Sequence, residues 1–378
     1  MNTNHCIDVI IIGGGLAGLV NAIHLTKSDI EVLLIEKNSY PKHKVCGEYV
    51  SNEVLPYLKS LDIDPIKLGA KKINRFILST SKNRKIEAKL SLGGFGLSRF
   101  TLDHVLAKKA KENGAVIIQD TVLKVEFLNN EFRVLTKNGR DYKAKIVIGA
   151  HGKRSNIDMA LDRNFIKKKS PFLAVKTHMK GNFPDDLVAL HNFEGGYCGI
   201  SKVENDHINV CYIVEFKSFQ KFQNIQDFQE KVLCKNSYLK SIFENSESVF
   251  SKPLTISQLS FSSKNPVEQH ILMCGDSASM IHPLSGNGMS MAIRSAQMAS
   301  LLIIAYFNGE IKSRIILEKA YITEWNIEFR SRLRIGHVVA SLFKKYHFSE
   351  FLMLILIKLP SLLPKIIKRT HGKPMVVK

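Results

Sequence analysis

Three closely spaced glycines lie between a short apolar strand and a helix, and no other feature of the sequence constrains the fold as much. Residues 7–12 are mostly β-branched and almost all apolar, which is typical of a buried parallel strand. The pattern Gly13-x-Gly15-x-x-Gly18 follows at once and leads into a helix. A second apolar strand over residues 30–36 completes a βαβ unit.

Each glycine of this pattern has a separate physical role in a dinucleotide site. Gly13 permits the tight turn, Gly15 lets backbone approach a pyrophosphate, and Gly18 lets the helix pack on the strand. The helix N-terminus adds unpaired N–H groups for the phosphates. Glu36 ends the second strand, where a carboxylate accepts from ribose hydroxyls and repels a 2′-phosphate. These features favour FAD or NAD over NADP, and a glycine turn without a ligand is the alternative.

A second glycine-rich segment lies about 240 residues later and favours FAD. Gly275 and Asp276 follow a buried strand, and a carboxylate at a strand end can hold a ribityl hydroxyl. Residues 282–289 then form a Pro- and Gly-rich turn that opens a helix. Its backbone N–H groups suit the pyrimidine edge of a flavin, where negative charge develops on reduction. An ordinary strand–turn–helix is the alternative.

With both motifs in place, the chain resembles the flavoprotein superfamily of aromatic hydroxylases and geranylgeranyl reductases over roughly residues 5–330. The resemblance implies an FAD cofactor, with NAD(P)H as electron donor. It also implies that Gly13, Gly15 and Gly18 bind the pyrophosphate of FAD, that Glu36 binds the adenosine ribose, and that the backbone of Val122 contacts the adenine. Arg99 is implied to lie near FAD, and Gly275 and Asp276 to bind the ribityl chain and the pyrophosphate. The residues implied to lie beside the isoalloxazine are Gly286, Asn287, Gly288 and Met289.

Two further segments resemble the reductase branch of this superfamily. Lys44-x-Cys46-Gly47-Glu48 is similar to its Cys-Gly-Glu segment, which lies near the flavin. The resemblance implies a cofactor-binding Lys44 and a catalytic Cys46, against a loop cysteine without chemistry. The strand around Tyr197 resembles the aromatic strand of that branch's substrate cavity. Tyr197 is therefore a second catalytic candidate, and a plain sheet residue is the alternative.

The chain also departs from its relatives at one position. His151 stands where the hydroxylases have the aspartate of an Asp-Gly motif that helps to arrange FAD and NAD(P)H. This change weakens the case for NADPH-driven hydroxylation and leaves the case for FAD intact. Lys153 and Arg154 could attract NADPH phosphates, although a solvated basic loop explains them as well. The Trp-x-Trp segment of flavin-dependent halogenases is not matched around the sole tryptophan, Trp325.

The order of predicted strands and helices indicates an α/β fold with an insertion. We expect a doubly wound, Rossmann-like FAD-binding domain, an inserted β-sheet-rich substrate domain with a helical stretch near residues 218–247, and a helical C-terminal tail. The corresponding segments are 1–70, 99–165 and 266–330 for the FAD-binding domain, 71–98 and 166–265 for the substrate domain, and 331–378 for the tail.

The net charge and the cysteine content bear on the class of partner and on the cellular compartment. The formal net charge is +20, but the basic residues are spread over the whole length rather than gathered into an arm. We therefore expect no nucleic-acid partner, and a basic binding module with a relic nucleotide fold is the alternative from another class. None of the six cysteines forms a C-x-x-C pair, so we expect a reducing, cytoplasmic compartment and no metal.

The C-terminal segment is apolar with basic flanks. Residues 351–359 are almost all apolar, and the lysines and arginine around them are Lys344, Lys345, Lys358, Lys365, Lys368, Arg369 and Lys373. We expect no stretch long and apolar enough to span a bilayer. The segment suits either the surface of an anionic membrane or packing on the substrate domain. The sequence leaves both open, and it does not give the oligomeric state.

Together these features predict an FAD-dependent oxidoreductase that acts on a lipophilic small molecule. The Cys-Gly-Glu segment, His151 and the tail favour reduction of a C=C bond in an isoprenoid- or lipid-like substrate, with flavin reduced by NAD(P)H. The alternative is a flavin monooxygenase that hydroxylates an aromatic or polyketide-like substrate.

Overall fold

The computed structural model describes residues 5–167, 170–257, 259–344 and 346–377, and Lys345 therefore lies outside the described residues. The strands are β1 (Cys6–Ile12), β2 (Val32–Glu36), β3 (Tyr49–Ser51), β4 (Lys71–Ser79), β5 (Lys85–Gly96), β6 (Val116–Gln119), β7 (Val122–Leu128), β8 (Glu131–Thr136), β9 (Asp141–Gly149), β10 (Phe172–Gly181), β11 (Leu187–Phe193), β12 (Gly196–Lys202), β13 (Ile208–Glu215), β14 (Ser246–Ser248), β15 (Leu254–Ser257), β16 (Val267–Glu268) and β17 (Ile271–Met273).

The helices pack against two sheets formed by these strands. They are α1 (Leu16–Thr26), α2 (Leu55–Ser60), α3 (Arg99–Glu112), α4 (Asn156–Ala160), α5 (Phe216–Phe219), α6 (Ile225–Lys231), α7 (Ser237–Glu244), α8 (Gly288–Phe307), α9 (Arg314–Lys344), α10 (Tyr346–Lys358) and α11 (Leu362–Thr370).

Sheet A carries the nucleotide-binding topology. Its parallel strands run in the order β6-β2-β1-β9-β17, which in chain order is 3-2-1-4-5, as in Rossmann-like folds. Strands β1, β2 and β9 are buried along most of their length, because helices cover a sheet of this kind and leave little of it to water. Helices α1 and α8 contribute to the same hydrophobic core. Ligands of such sheets bind outside the carboxyl ends of the strands, where Gly13 and Gly275 follow β1 and β17.

Sheet B is a second, mostly antiparallel sheet with the order β14-β10-β13-β12-β11-β4-β5-β3, and β15 pairs with β10. Its strands come from two stretches of chain that interrupt sheet A, as expected for an inserted sheet-rich unit. Strand β3 joins sheet B although its residues fall in the 1–70 segment assigned to the FAD-binding domain. Helix α9 runs through residue 331, so the predicted start of the tail falls inside a helix. The predicted boundaries stay predictions.

The expected helical stretch near 218–247 is confirmed, and it consists of three short helices, α5, α6 and α7. The expectation that no stretch is long and apolar enough to span a bilayer is wrong. Helix α8 is, among the described residues, the one helix long and apolar enough to cross a membrane by length and composition. A buried core helix meets the same criteria, and 61% of the apolar stretch of α8 is buried inside the protein.

Candidate functional site

The first glycine turn is closely packed against its surroundings. Gly13 has a φ of +104°, and a Cβ at this position would lie 2.5 Å from the carbonyl oxygen of Ala150. A Cβ at Gly18 would overlap the carbonyl oxygen of Gly13. Both positions therefore require glycine for close approach of strand and helix. At Gly15 an added Cβ would make an ordinary van der Waals contact with Nη2 of Arg99 at 3.7 Å, and this glycine lines a cavity, which keeps space open in front of the turn.

The N-terminus of α1 is open to an anion. Its N-cap residue is Gly15, no side chain caps it, and its first turn contains no acidic residue. The unpaired N–H groups and the partial positive charge of the helix end therefore face the space that Gly15 keeps open.

Glu36 holds the turn through the backbone. Its Oε2 accepts from the N–H of Gly14 at 2.7 Å, and its Oε1 accepts from the backbone and side-chain N–H groups of Asn38 at 2.9 and 2.7 Å. Because a carboxylate has about four acceptor positions, capacity for a ribose hydroxyl remains. Val122, expected near adenine, starts β7 beside this strand end, where the N–H of Asp120 donates to the carbonyl of Glu36.

Two predicted cations share one buried carboxylate beside the turn. Arg99 donates to Asp103 through Nε at 2.7 Å and Nη2 at 2.8 Å, and Lys44 Nζ donates to the same carboxylate at 2.8 Å. Asp103 is almost fully buried. Burial raises the pKa of Asp103, but the charges of Arg99 and Lys44 outweigh it and lower the pKa below its usual value. Arg99, Lys44 and Asp103 together therefore carry one net positive charge beside the turn.

The two distant glycine motifs meet around one cavity of about 220 Å³. Gly275, with a φ of +62°, lies close to α1, because an added Cβ would be 3.3 Å from Cβ of Ala17. The cavity brings together nine of the predicted residues: Gly15, Cys46, Arg99, Gly275, Asp276, Gly286, Asn287, Gly288 and Met289. Gly13, Gly18, Glu36, Lys44 and Val122 do not line it. The individual roles of these residues toward FAD stay predictions.

The segment with Cys46 is fixed to sheet B by polar contacts. The side-chain amide of Asn209 donates to the carbonyls of Cys46 and Gly47 at 3.3 and 2.8 Å. The fully buried Glu48 accepts from Nζ of Lys176 at 2.5 Å and hydrogen-bonds Nε2 of His178 at 2.7 Å. Cys46 therefore lines the cavity on a loop that the second sheet holds in place.

Glu48 and its partners were not predicted as site residues. Burial raises the pKa of Glu48, but the charge of Lys176 and the hydrogen bond from His178 outweigh burial and lower the pKa. Glu48 also accepts from the N–H of Arg99 at 2.8 Å, so one carboxylate connects the cysteine loop, sheet B and the start of α3. Cys211 of β13, also not predicted, lines the same cavity. Burial raises the pKa of its thiol to about 12.

The loop that departs from the hydroxylases turns its histidine away from the cavity. His151 Nε2 lies 3.2 Å from Oδ1 of the buried Asp158, whereas Gly152 and Lys153 line the cavity. Burial raises the pKa of Asp158, but the hydrogen bond and charge of His151 and nearby cations lower it to about 2. Lys264 ties this loop to the second motif by donating to the carbonyls of Lys153 and Asp276 at 3.0 and 2.6 Å.

Tyr197 lies outside this cavity and lines two neighbouring ones. The larger, of about 420 Å³, lies between sheet B and α9, and the smaller, of about 130 Å³, is bordered by α11. Ile213 lines all three cavities. The buried hydroxyl of Tyr197 has no hydrogen-bond partner among the described residues, and burial raises its pKa well above its usual value. Tyr197 is thus placed to meet a ligand of the neighbouring cavities rather than one confined to the first.

Residues 6–324 match the family model of the FAD binding domain. The chain belongs to this family. It is therefore an FAD-dependent oxidoreductase of the superfamily that contains geranylgeranyl reductases and aromatic hydroxylases.

Proteins similar to this chain carry different names. Conditioned medium factor receptor 1 of Dictyostelium discoideum is 25% identical over 353 residues, which cover 85% of this chain and 68% of the relative. Digeranylgeranylglycerophospholipid reductase 1 of Methanopyrus kandleri is 24% identical over 372 residues, covering 91% and 92%. The structure of the flavin-dependent brominase Bmp2 superposes with a TM-score of 0.78 at 18% identity, covering 97% of this chain and 93% of that one, which shows a shared fold.

The residues present fit FAD. The uncapped N-terminus of α1, the space before Gly15 and the net positive charge at Arg99 and Lys44 suit a pyrophosphate. The second motif supplies the carboxylate of Asp276 and the glycine turn before α8 on the other side of the cavity. Asn287, which lines the cavity, keeps a buried side-chain oxygen without a partner among the described residues, and this oxygen is free to accept from a ligand.

Proposed function

We propose that this oxidoreductase reduces a C=C bond in an isoprenoid- or lipid-like molecule and that NAD(P)H reduces its flavin. The cavity of about 220 Å³ between the two glycine motifs is called the flavin cleft below. The observation that carries the proposal is the apolar space beside this cleft. The 420 Å³ cavity shares Ile213 and Leu259 with the cleft, and the 130 Å³ cavity shares Gly47 and Cys211 with it. A substrate in either cavity would lie next to the side of the cleft that Cys46 lines.

The lining of the larger cavity suits a hydrocarbon. Phe261 lies 5.4 Å from Phe172 and 4.6 Å from His282 between ring centroids, and Tyr197 completes the aromatic wall. Burial lowers the pKa of His282 to about 4, so this side chain is neutral near pH 7. A volume of about 420 Å³ lies within the range of small-molecule sites. The name of the Methanopyrus kandleri relative, a reductase of a prenyl lipid, supports the same substrate class.

Reduction of an alkene needs a hydride on one carbon and a proton on the other. Bound and reduced FAD supplies the hydride. The chain supplies position, exclusion of water and the proton, and Sγ of Cys46 is the acid group of the reductase-like segment that lines the cleft. Asn209 holds the carbonyls around Cys46, so the thiol cannot move freely away from the cleft.

Anaerobic single turnover tests the reaction. The enzyme is reduced without O₂, mixed with an unsaturated prenyl lipid, and the product is analysed by mass spectrometry. We expect a product heavier by two hydrogens, and bleaching of the oxidised flavin by NADH or NADPH in the preceding step. A product that forms only in air and carries an added oxygen would overturn the proposal in favour of the monooxygenase.

Replacement of the thiol tests the role of Cys46. We expect Cys46→Ser to slow product formation roughly 100-fold, because a serine hydroxyl is a much weaker acid than a thiol. Flavin content and the rate of flavin reduction by NAD(P)H should stay unchanged. Cys234→Ser, a free cysteine that lines none of the three cavities, is the matched control. Equal turnover of the two variants would remove Cys46 from the reaction.

A further inference from the structure

Helix α10 is apolar on two opposite faces, and only one of them is covered. Met353 and Leu356 are buried in a cluster with residues of β4 and β5. Phe351 and Leu354 project from the other face, and Phe351 is 56% exposed. At 100° per residue, Lys358 falls on the same exposed face as these two side chains. A helix of a globular protein normally places polar residues there.

From residue 351 to the end of the sequence, every charged residue is a lysine or an arginine. Residues 351–378 contain six lysines and arginines and no aspartate or glutamate. On α11, Lys365, Lys368 and Arg369 are exposed, while Leu363 and Thr370 are buried. None of these three cations forms an ion pair with another described residue. The positive charge at this end of the molecule is therefore open to an outside partner.

We propose that this surface docks on the anionic face of a lipid bilayer. The docking face is defined as the exposed apolar residues of α10 and its end together with the basic residues that follow: Phe348, Phe351, Leu354, Ile357, Leu359, Lys358, Lys365, Lys368, Arg369 and Lys373. Exposed apolar side chains flanked by lysine and arginine match the interface between acyl chains and anionic headgroups.

Charge decides between a bilayer and a second copy of this chain. Two copies would bring their basic segments together, and each chain carries a formal net charge of +20. An anionic membrane neutralises the same charges and accepts the apolar side chains at once. The lysine stems can lie along the apolar surface while their ammonium groups reach the headgroups.

The docking face is backed by apolar space that leads to the flavin cleft. Ile366, Ile367 and Thr370 on the inner side of α11 line the 130 Å³ cavity. The carbonyl of Thr370 accepts from Nδ2 of Asn287 at 2.9 Å, which connects α11 to the second glycine motif. Docking would therefore bring this cavity within one helix of the bilayer. The docking itself requires no redox chemistry and goes beyond the proposed function.

Co-sedimentation of the purified full chain with vesicles tests the proposal. We expect binding to vesicles of phosphatidylserine and phosphatidylcholine, weaker binding in high salt, and little binding to pure phosphatidylcholine. The double variant Phe351→Ser with Leu354→Ser should bind at least roughly 10-fold more weakly. Its matched control is Ile315→Ser with Ile316→Ser, two exposed apolar residues at the start of α9.

A charge variant tests the basic part of the docking face. Lys365→Gln, Lys368→Gln and Arg369→Gln together should weaken binding to the anionic vesicles on the order of 100-fold. The matched control replaces three exposed lysines between the start of β7 and the end of β9 by glutamine: Lys124→Gln, Lys137→Gln and Lys143→Gln. All substituted residues are exposed, and unchanged melting temperatures verify that the variants fold.

Insertion is measured separately with a tryptophan probe. Leu354→Trp should be quenched by brominated lipids in anionic vesicles, whereas Ile315→Trp should not, against the background of the buried Trp325. No binding of the wild-type chain to the anionic vesicles, or equal binding by docking-face and control variants, would overturn the proposal. A dimer that Phe351→Ser with Leu354→Ser dissociates would overturn it in favour of a second copy. If the protein reduces an alkene but does not bind vesicles, only the docking proposal is wrong. If it binds vesicles but does not reduce an alkene, only the proposed function is wrong.

Discussion

At the scale of single residues, buried charge pairs hold the flavin cleft in shape. Glu48 is fully buried and accepts from Lys176, which is fully buried as well. A buried charge costs several kcal/mol to desolvate, and only a well-placed partner offsets this cost. The loop with Cys46 precedes Glu48 directly, so the ion pair fixes the position of the cysteine at the cleft.

Loss of one partner of this pair should be strongly destabilising. Glu48→Gln leaves the ammonium group of Lys176 buried without a counter-charge, and we expect a loss of about 3–5 kcal/mol in the free energy of unfolding. Denaturant unfolding of the two variants Glu48→Gln and Lys176→Met, and of the double variant, measures the coupling. The double variant should recover a large part of the loss.

Additive effects would contradict the ion pair as the source of this stability. A second readout follows the cysteine loop itself. The rate at which a thiol reagent modifies Cys46 should rise in Glu48→Gln and fall back in the double variant, because the loop is released only when the charge is unpaired. An unchanged rate in all three proteins would show that Asn209 alone holds the loop.

The ion pair of Glu48 and Lys176 could not be predicted from the sequence, for a physical reason. Glu48 and Lys176 are 128 residues apart, and His178 is 130 residues from Glu48. Only the register of sheet B brings them together. Gly18 and Glu36, in contrast, contact residues of the same βαβ unit, so the spacing within that unit predicted the turn. Cys211 carried no local motif and was missed for the same reason as Lys176.

At the scale of elements, local patterns predicted the strands and the helical stretch near 218–247, but not where each short helix in it begins. The predicted strands over residues 7–12 and 30–36 correspond to β1 and β2 to within two residues at each end. The stretch near 218–247 is divided because Asn224 and Asn236 cap new helices, each accepting a backbone N–H two or three residues on. Apolar residues recur through the whole stretch, so periodicity alone did not reveal these starts.

The first glycine turn yields a prediction that separates binding from folding. Gly15→Ala places its Cβ in the space before the turn, in ordinary van der Waals contact with Nη2 of Arg99 at 3.7 Å, so the free protein should keep its stability. Because that space faces the uncapped end of α1, we expect FAD affinity to fall at least roughly 10-fold. Fluorescence titration of the FAD-free protein measures the affinity, and its melting temperature measures the stability.

Gly18→Ala provides the contrast. Its Cβ would overlap the carbonyl oxygen of Gly13, and neither backbone segment can give way without moving the strand from the helix. We expect this variant to lose stability even without FAD. If Gly15→Ala bound FAD as tightly as the natural chain, the pyrophosphate would not lie against this turn, and the assignment of the first motif would fail.

At the scale of the whole molecule, the site exists only because two sheets meet. Sheet A supplies both glycine turns, and sheet B supplies Lys176, Asn209, Cys211 and Tyr197. The Rossmann-like half was predictable because its signals are local. The two cavities beside the flavin cleft were not, since they depend on how α9 and α11 cover sheet B.

Three histidines that are partly or fully buried, in α1, in β11 and in the loop before α8, should make the whole fold sensitive to mild acid. Burial lowers the pKa of His24 to about 4, of His191 to about 3 and of His282 to about 4. His24 is bonded to Tyr57 and His191 to Ser79 through Nδ1, at 2.8 and 2.7 Å. Unfolding exposes these rings to water, where their pKa returns to about 6.5.

The sign of the pH dependence follows from these values. Above pH 6.5 the rings are neutral in both states, and the stability is complete. As the pH falls from 6.5 toward 4, the unfolded chain binds protons that the folded chain excludes, so stability is lost. Each histidine contributes at most about 1.4 kcal/mol per pH unit.

We expect the melting temperature to fall steadily from pH 6.5 to 4.5. His191→Gln should make this fall shallower, whereas His104→Gln, an exposed histidine of α3, should leave it unchanged. A melting temperature constant over this range would show that the three rings gain protons in the folded protein as readily as in the unfolded one.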